Sequence, residues 1–155
     1  MNDHPEFLTP EGFVKLEKEL DYLRTTRRHE VAERLHQALE EGDILENAEL
    51  EDARNEQSFL EGRILTIETI LRNATIIEDN GPRESVGIGS YVTVTEDDGP
   101  QETYHIVGSA EADPAQGLIS NESPLGQALM GCKVGETAEV VAPDGVLVFK
   151  VVKIK

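Results

Sequence analysis

The sequence predicts an α+β protein: an N-terminal antiparallel coiled-coil hairpin over residues 1–77, followed by a small antiparallel-sheet domain over residues 78–155. Three observations predict this fold class. Apolar residues recur every three or four positions in two long stretches before residue 75, as on one face of a helix. Beyond residue 85 the period falls to two, which is typical of strands. A polar stretch with a Gly-Pro pair, residues 78–85, lies between the two patterns and predicts a linker or long turn.

The first helix is predicted to begin at Thr9, the N-cap, with Pro10 at its first helical position. Its apolar stripe weakens at Arg27 and Arg28, and Gly42 follows as a stop signal. The stripe consists of Phe13, Leu16, Leu20, Leu23, Val31, Leu35, Ala38 and Leu39. A helix of about 32 residues would be roughly 48 Å long.

The second helix carries a cleaner heptad seam with one polar break at Gln57. The seam consists of Ala53, Gln57, Leu60, Ile64, Ile67, Leu71 and Ala74. Two long stripes joined by a short connection predict a helical hairpin, although a two-helix piece of a larger bundle would show the same pattern. The narrow seam favours a hairpin that stands in solvent. We expect a monomer, because such a hairpin buries its own seam.

The second half is predicted to form strands over residues 91–95, 103–107 and 118–120, and a hairpin of 138–141 with 146–152. A further extended segment is expected at residues 75–77. Ser123 is the predicted N-cap of a short helix that has Pro124 at its first position and ends at Gly131.

Composition argues against several classes of protein. The net charge of −17 at pH 7 argues against wrapping duplex nucleic acid, which needs a basic surface. No apolar run approaches the roughly 20 residues of a membrane span, and no secretory signal opens the chain. The single cysteine, Cys132, fits a reducing compartment, so we expect a cytoplasmic protein without a membrane partner. No zinc spacing, dinucleotide fingerprint or nucleophile triad is present in the sequence.

The densest charge lies between the two predicted helices. Residues 40–56 hold eight carboxylates against one cation, Arg54, and close carboxylates repel one another. Asp43 and Glu46 would offer oxygen ligands to a hard divalent ion that takes its other ligands from a second molecule. The structural alternative makes Asp43 the N-cap of the second helix and Glu46 its N3 partner. The two interpretations are compatible.

The positive charge of the first helix lies on Arg24, Arg27, Arg28 and Arg34. Arg63 is expected to lie near Arg27 across the hairpin. This cluster predicts either contacts to a phosphodiester backbone or ion pairs within the helix. For the second alternative, Glu30 lies four residues before Arg34 and Asp21 lies three before Arg24.

Several stretches, distributed over nearly the whole chain, resemble the bacterial transcript-cleavage (Gre) factors. They are Leu8–Gly12, Leu16–Leu20, Gly42–Glu49, Glu61–Ile64 and Ser123–Gly131. The resemblance implies a coiled coil followed by a domain similar to the FK506-binding fold. That domain would dock at the rim of the secondary channel of bacterial RNA polymerase. The docking candidates are Ser123, Pro124, Leu125 and Gly126, with core packing as the alternative.

The resemblance also implies that the coiled coil places its acidic tip beside the polymerase active site. Asp43 and Glu46 match the family's functional pair, which would hold a Mg²⁺ ion shared with the polymerase and position the water that cleaves backtracked RNA at its 3′ end. The implied reaction belongs to the polymerase, so we expect the chain not to be an enzyme and to bind no Mg²⁺ stably alone. Arg27, Arg28 and Arg63 are the candidates for contacts to the RNA backbone.

The chain departs from the family pattern around the tip. Leu39, Leu45 and Leu50 stand where the family commonly has arginine, a small or polar residue, and tyrosine, and His29 replaces a usual proline. Some Gre-like homologues inhibit polymerase, so the alternative function is a channel-binding regulator that does not stimulate cleavage. A free-standing peptidyl-prolyl isomerase is a third possibility, suggested by the implied fold. The three aromatic residues of the second half are few for lining a proline pocket.

Overall fold

In a computed structural model of the protein, the described residues are 5–41, 48–78, 83–97 and 99–155. The chain divides into two compact units. Phe13–Asn73 forms the helical unit, called the arm below, and Met1–Gly12 with Ala74–Lys155 forms the globular unit. This division differs from the predicted boundary after residue 77, because strand β1 (Glu6–Leu8) pairs in parallel with β2 (Ala74–Ile76). That pairing joins two segments distant in sequence, both within the globular unit.

Among the described residues, four helical segments precede β2. They are α1 (Pro10–Tyr22), a π-helical segment (Leu23–Arg27), α2 (Arg28–Glu41) and α3 (Ala48–Arg72). The first three are contiguous, which confirms the predicted first helix, and the π-helical segment ends where the apolar stripe weakens. The Thr9 hydroxyl accepts a hydrogen bond from the Gly12 N–H at 3.0 Å, as expected of an N-cap. None of the described helices is long and apolar enough to cross a membrane.

The seam between the helices is mainly aliphatic. Its buried members are Leu16, Leu20, Val31, Ala38, Leu50, Ala53, Leu60, Ile64 and Ile67. Each large aliphatic side chain that becomes fully buried contributes about 1.5–3 kcal/mol. The prediction was wrong at two positions of the second helix. Gln57 is exposed and Glu56 is half-buried in its place, and Ala74 belongs to β2 because α3 ends at Arg72.

Gly62 lies inside α3, where it weakens the helix without a packing reason. A Cβ atom added there would meet nothing within 4 Å. Since glycine in a helix interior costs about 0.5–1 kcal/mol relative to alanine, we expect Gly62→Ala to stabilise the arm by that amount. Thermal unfolding followed by circular dichroism at the helical band checks this. A lower unfolding temperature for the variant would contradict it.

The globular unit contains a five-stranded mixed sheet with the strand order β5-β4-β3-β7-β6. Its strands are β3 (Tyr91–Glu96), β4 (Gln101–Val107), β5 (Leu118–Ser120), β6 (Thr137–Ala142) and β7 (Gly145–Ile154). The predicted antiparallel sheet is confirmed at β3–β4, β3–β7 and β6–β7, whereas β4 and β5 pair in parallel. Two 3₁₀ turns, Ser109–Glu111 and Pro114–Gln116, lie in the connection that this parallel pair requires.

The core of the globular unit lies between the sheet and helix α4 (Pro124–Leu129). Val92 and Val94 are buried on β3 while Thr93 between them is half-exposed, which is the predicted alternation. The buried cluster consists of Val86, Val92, Val94, Ile106, Ile119, Leu129, Ala138, Phe149 and Val151.

Candidate functional site

The predicted tip is the segment between α2 and α3. Helix α2 ends at Glu41 and α3 begins at Ala48, so residues 42–47, called the tip segment below, connect them. Asp43 and Glu46 lie in this segment and therefore outside the described residues, as does Leu45. Both interpretations of the pair, metal binding and helix capping, stay predictions.

The carboxylates that flank the tip segment are exposed. Glu40 on α2 and Glu49, Glu51 and Asp52 on α3 all face solvent. Glu40 lies 3.1 Å from the His36 ring nitrogen Nε2, within the same helix. Among residues 5–41, 48–78, 83–97 and 99–155, no group of three or more His, Cys, Asp or Glu side chains is placed to hold a metal ion. The described residues that precede and follow the tip segment in sequence thus carry negative charge at solvent-exposed positions.

The leucines around the tip have different environments. Leu50 is 3% exposed and belongs to the seam, so it extends the apolar stripe of α3 towards the tip. Leu39 is 48% exposed. Of these two departures from the family pattern, Leu39 therefore adds an apolar group to the described surface, and Leu50 contributes to packing.

The three arginines predicted to contact RNA are engaged in ion pairs across or along the arm. Arg28 donates two hydrogen bonds of 2.8 Å to Glu61, and Arg63 donates two to Glu19 at 2.9 and 3.0 Å. The hydrogen bond from Arg28 lowers the pKa of the Glu61 carboxyl and raises the pKa of Arg28 itself. Arg27 pairs with two carboxylates, Glu30 at 3.1 Å and Glu56.

The two ion pairs predicted within the first helix have different partners. Arg24 contacts Glu68 of α3, and Arg34 contacts Glu56 and Glu49 of α3. The charges of this helix are thus balanced largely by the helix opposite. The sequence alone could not give these partners, because they depend on the register of the hairpin.

The docking candidates of the globular unit open helix α4. The Ser123 hydroxyl accepts from the Gly126 N–H at 3.1 Å and donates to the Ser120 carbonyl at 2.7 Å, which confirms the predicted N-cap. Leu125 packs against the core, and Gly126 is buried. Pro124 is exposed. Three of the four candidates thus have a structural role, and Pro124 lies at the surface where a partner could contact it.

Comparison with known proteins finds two family models that together match nearly the whole chain. The family model for the N-terminal domain of transcription elongation factors matches residues 6–76, and the model for the GreA/GreB C-terminal domain matches residues 81–155. The chain belongs to the GreA/GreB family of transcription elongation factors.

Individual relatives have names from this family. The transcription elongation factor GreA of Acetivibrio thermocellus is 52% identical over 96% of this chain and 94% of its own length. GreA of Bacillus subtilis is 51% identical over 95% of this chain and 94% of its own. Among solved structures, GreA factor homolog 1 (Gfh1) of Thermus thermophilus is 32% identical, with 98% of this chain and 99% of that chain covered and a TM-score of 0.46.

The globular unit of this GreA/GreB-family chain contains a cavity that the sequence did not predict. It has a volume of about 590 Å³, and its lining includes Arg83, Tyr91, His105, Lys153 and Lys155. The His105 ring stacks on Tyr91 with 4.1 Å between ring centroids and 9° between ring planes. These residues come from β3, β4, β7, the segment before β3 and the residue that follows β7, so no single stretch of sequence marks the cavity.

The stability of the globular unit is expected to fall as the pH drops below the ordinary pKa of histidine, about 6.5. Burial lowers the pKa of His105, while Glu111, the backbone of Gly89 and Glu11 partly offset that shift. The unfolded chain therefore takes up a proton first, which favours unfolding until the pH also falls below the lowered folded-state pKa. Urea unfolding of the protein and of His105→Gln at about pH 7.5 and about pH 5.5 checks this. Equal losses of stability in the two proteins would contradict it.

Proposed function

We propose that this chain enters the secondary channel of bacterial RNA polymerase and stimulates Mg²⁺-dependent cleavage of backtracked RNA at its 3′ end. The observation that carries the proposal is the arm of a GreA/GreB-family chain, in which two paired helices are connected by a segment that contains Asp43 and Glu46. Helix α3 alone has 25 residues and is therefore about 37 Å long. An arm of this length can carry a short segment into a channel.

The chemistry of the tip segment fits an ion that is shared between two proteins. Asp43 and Glu46 can supply oxygen ligands, but Mg²⁺ prefers six oxygens in octahedral geometry. The remaining positions would belong to polymerase carboxylates, RNA phosphate and water. A bound Mg²⁺ would supply an activated water and neutralise developing charge on the phosphate. The two carboxylates of this chain would hold and orient the ligands, so the reaction would belong to the polymerase.

The charges of the arm support delivery into a channel without indiscriminate binding to nucleic acid. The exposed carboxylates near the tip repel phosphates, and the ion pairs of Arg27, Arg28 and Arg63 reduce the free positive charge. Solvent-exposed pairs of this kind contribute about 0–1 kcal/mol each. RNA phosphates held close to the arm could therefore compete for these arginines, and they stay our candidates for contacts to the RNA backbone.

We also propose that the chain acts as a cytoplasmic monomer. The arm buries its aliphatic seam between its own helices, including Leu16, Val31, Leu60, Ile64 and Ile67. A helical hairpin that satisfies its own seam needs no second copy for stability. Sedimentation equilibrium would test this, and a dimer at micromolar concentration would overturn it.

The alternative function, inhibition of polymerase without cleavage, has one supporting observation. Leu39 is exposed near the tip segment, where an apolar group could block the approach of RNA or of a ligand. Leu50 no longer supports the alternative, because it is buried in the seam. We keep inhibition as an explicit outcome of the test.

The test uses a stalled, backtracked elongation complex that contains RNA labelled at its 3′ end. The protein is added with Mg²⁺, and the release of short 3′ fragments is followed with time. Accelerated release supports the proposal. Slower elongation without fragment release, together with confirmed binding to polymerase, would replace it with the inhibitory alternative.

A further inference from the structure

The seam of the arm contains a polar layer. On α3, buried Ala53 and Leu60 are seven residues apart, and the half-buried residue between them is Glu56. On the opposite helix, Arg27 is half-buried between Leu20 and Val31, which are both buried. Arg27 and Glu56 contact each other. An ion pair therefore occupies a level of the coiled coil where aliphatic residues stand above and below.

The π-helical segment explains how Arg27 reaches this level. The seam positions of the first helix are Leu16, Leu20, Leu23, Arg27, Val31, Leu35 and Ala38. Their spacing is 4-3-4-4-4-3, whereas a heptad seam alternates threes and fours, so one extra residue is present. A π-helical turn accommodates one extra residue, and it lies at Leu23–Arg27. The seam is thereby realigned, and Arg27 is the last residue of the turn that realigns it.

Glu56 is held from two directions. One carboxylate oxygen accepts from Arg27 and the other accepts from Arg34, so both oxygens are used. The side chain of Glu56 is 22% exposed, the lowest value among the described ion-paired carboxylates of the arm. By contrast, Arg28 and Glu61 are each 46% exposed outside the seam. In the observed alignment of the helices, two cations surround one half-buried carboxylate and use both of its oxygens.

The ion pairs of this network also agree on one alignment of the first helix against α3. From Arg27 to Arg34 the residue number rises by seven, and the α3 partner falls by seven, from Glu56 to Glu49. The two pairs therefore describe the same antiparallel alignment, two helical turns apart. An aliphatic seam repeats every heptad and tolerates neighbouring alignments, whereas a polar residue in the seam specifies one alignment at a cost in stability.

We propose that Glu56 is a positioning residue, whose bridge to Arg27 and Arg34 fixes the alignment of α2 against α3 and thereby the place at which Asp43 and Glu46 are presented. A slip of one heptad would move one helix by about 10 Å along the other. Misplacement of a catalytic group by about 1 Å can cost 100-fold in rate. The part of this proposal that concerns cleavage rests on the proposed function, and the part that concerns alignment does not.

The test compares Glu56→Leu with the matched variant Glu61→Leu. Both remove one ion-paired carboxylate of α3, but only Glu56 lies in the seam. The substitutions Gln37→Cys and Asp52→Cys, both at exposed positions, carry nitroxide labels in a Cys132→Ala background. Pulsed electron paramagnetic resonance then measures the distance distribution across the arm. Glu56→Gln, which keeps the shape of the side chain, is the second variant if the leucine variant does not fold.

We expect Glu56→Leu to leave the unfolding temperature nearly unchanged, because leucine fills a seam position while Arg27 keeps Glu30 and Arg34 keeps Glu49 as partners. We expect the same variant to broaden the distance distribution and to lower the maximal rate of stimulated cleavage by about 10- to 100-fold at saturating protein. The concentration that gives half-maximal stimulation should change little. Glu61→Leu should match the unsubstituted protein in distance distribution and in rate.

An unchanged distance distribution in the seam variants would overturn the proposal. A broadened distribution with an undiminished maximal rate would overturn the positioning role. Failure of the unsubstituted protein to stimulate cleavage would instead contradict the proposed function, because the distance measurement uses no polymerase.

Discussion

Replacement of both Asp43 and Glu46 by alanine is expected to abolish stimulated RNA cleavage and to leave polymerase binding largely intact. The expected loss is at least about 100-fold in rate, as for removal of a group that acts directly on the charge developing in a transition state. Binding should survive because the substituted side chains lie in the tip segment and outside the globular unit, which carries the docking candidates. The measurements are fragment release from a backtracked complex and competition for polymerase.

The physical reason is that the proposed Mg²⁺ site requires carboxylate oxygens as direct ligands. Negative charge near the tip is not enough. Oxygen ligands must lie within about 2.0–2.1 Å of Mg²⁺. Charges farther away attract the ion but do not coordinate it. Asp43→Asn and Glu46→Gln keep an oxygen but lose the charge, so each is expected to lower the rate while retaining part of the activity at raised Mg²⁺ concentration.

Glu51 and Asp52 provide the matched control for this prediction. Both are exposed carboxylates at the start of α3, close in sequence to the tip segment. The double variant Glu51→Ala/Asp52→Ala removes the same amount of charge and should retain cleavage within about threefold, because exposed charges act weakly at a distance in water. Undiminished cleavage by the Asp43/Glu46 variant, or an equal loss in the control, would contradict the assignment of the tip pair.

Local patterns predicted most of the fold. The two helices, the strands from residue 91 onward and the cap at Ser123 follow from apolar spacing and from capping residues, which act over a few residues. The parallel pairing of β1 with β2 was missed because both strands have three residues and lie far apart in the sequence. Their pairing depends on tertiary contacts that a short window does not contain.

The candidate site was predictable in composition but not in its contacts. On α3, a spacing of three or four residues between seam positions fits Glu56 as well as Gln57. Which of the two lies in the seam depends on the π-helical segment of the opposite helix. The arginine partners likewise depend on the alignment of α2 against α3. Leu50 was interpreted as a group at the tip, yet its burial shows that the seam extends to the beginning of α3. Each difference arises from the pairing of the helices, which one helix cannot specify alone.

The second large effect is expected at Gly126, one of the four docking candidates. A Cβ atom at this position would lie 1.9 Å from the Ser120 carbonyl oxygen and 2.9 Å from its carbon. The contact is with backbone of β5, so no side-chain rotation relieves it. We expect Gly126→Ala to destabilise the globular unit by about 3 kcal/mol, the upper part of the range for overpacking. Thermal unfolding of the globular unit should show a decrease of roughly 12–24 °C.

Pro124→Ala separates this structural role from docking. Pro124 is exposed, so its replacement should change the unfolding temperature little, and a docking role would appear as weaker binding to polymerase at unchanged stability. Gly126→Ala should lose stability whether or not polymerase is present, whereas a pure docking residue would lose binding alone. An unchanged unfolding temperature for Gly126→Ala would show that β5 and α4 can separate at no cost. In that case, glycine at position 126 would have to be explained by contacts with polymerase and not by packing within the globular unit.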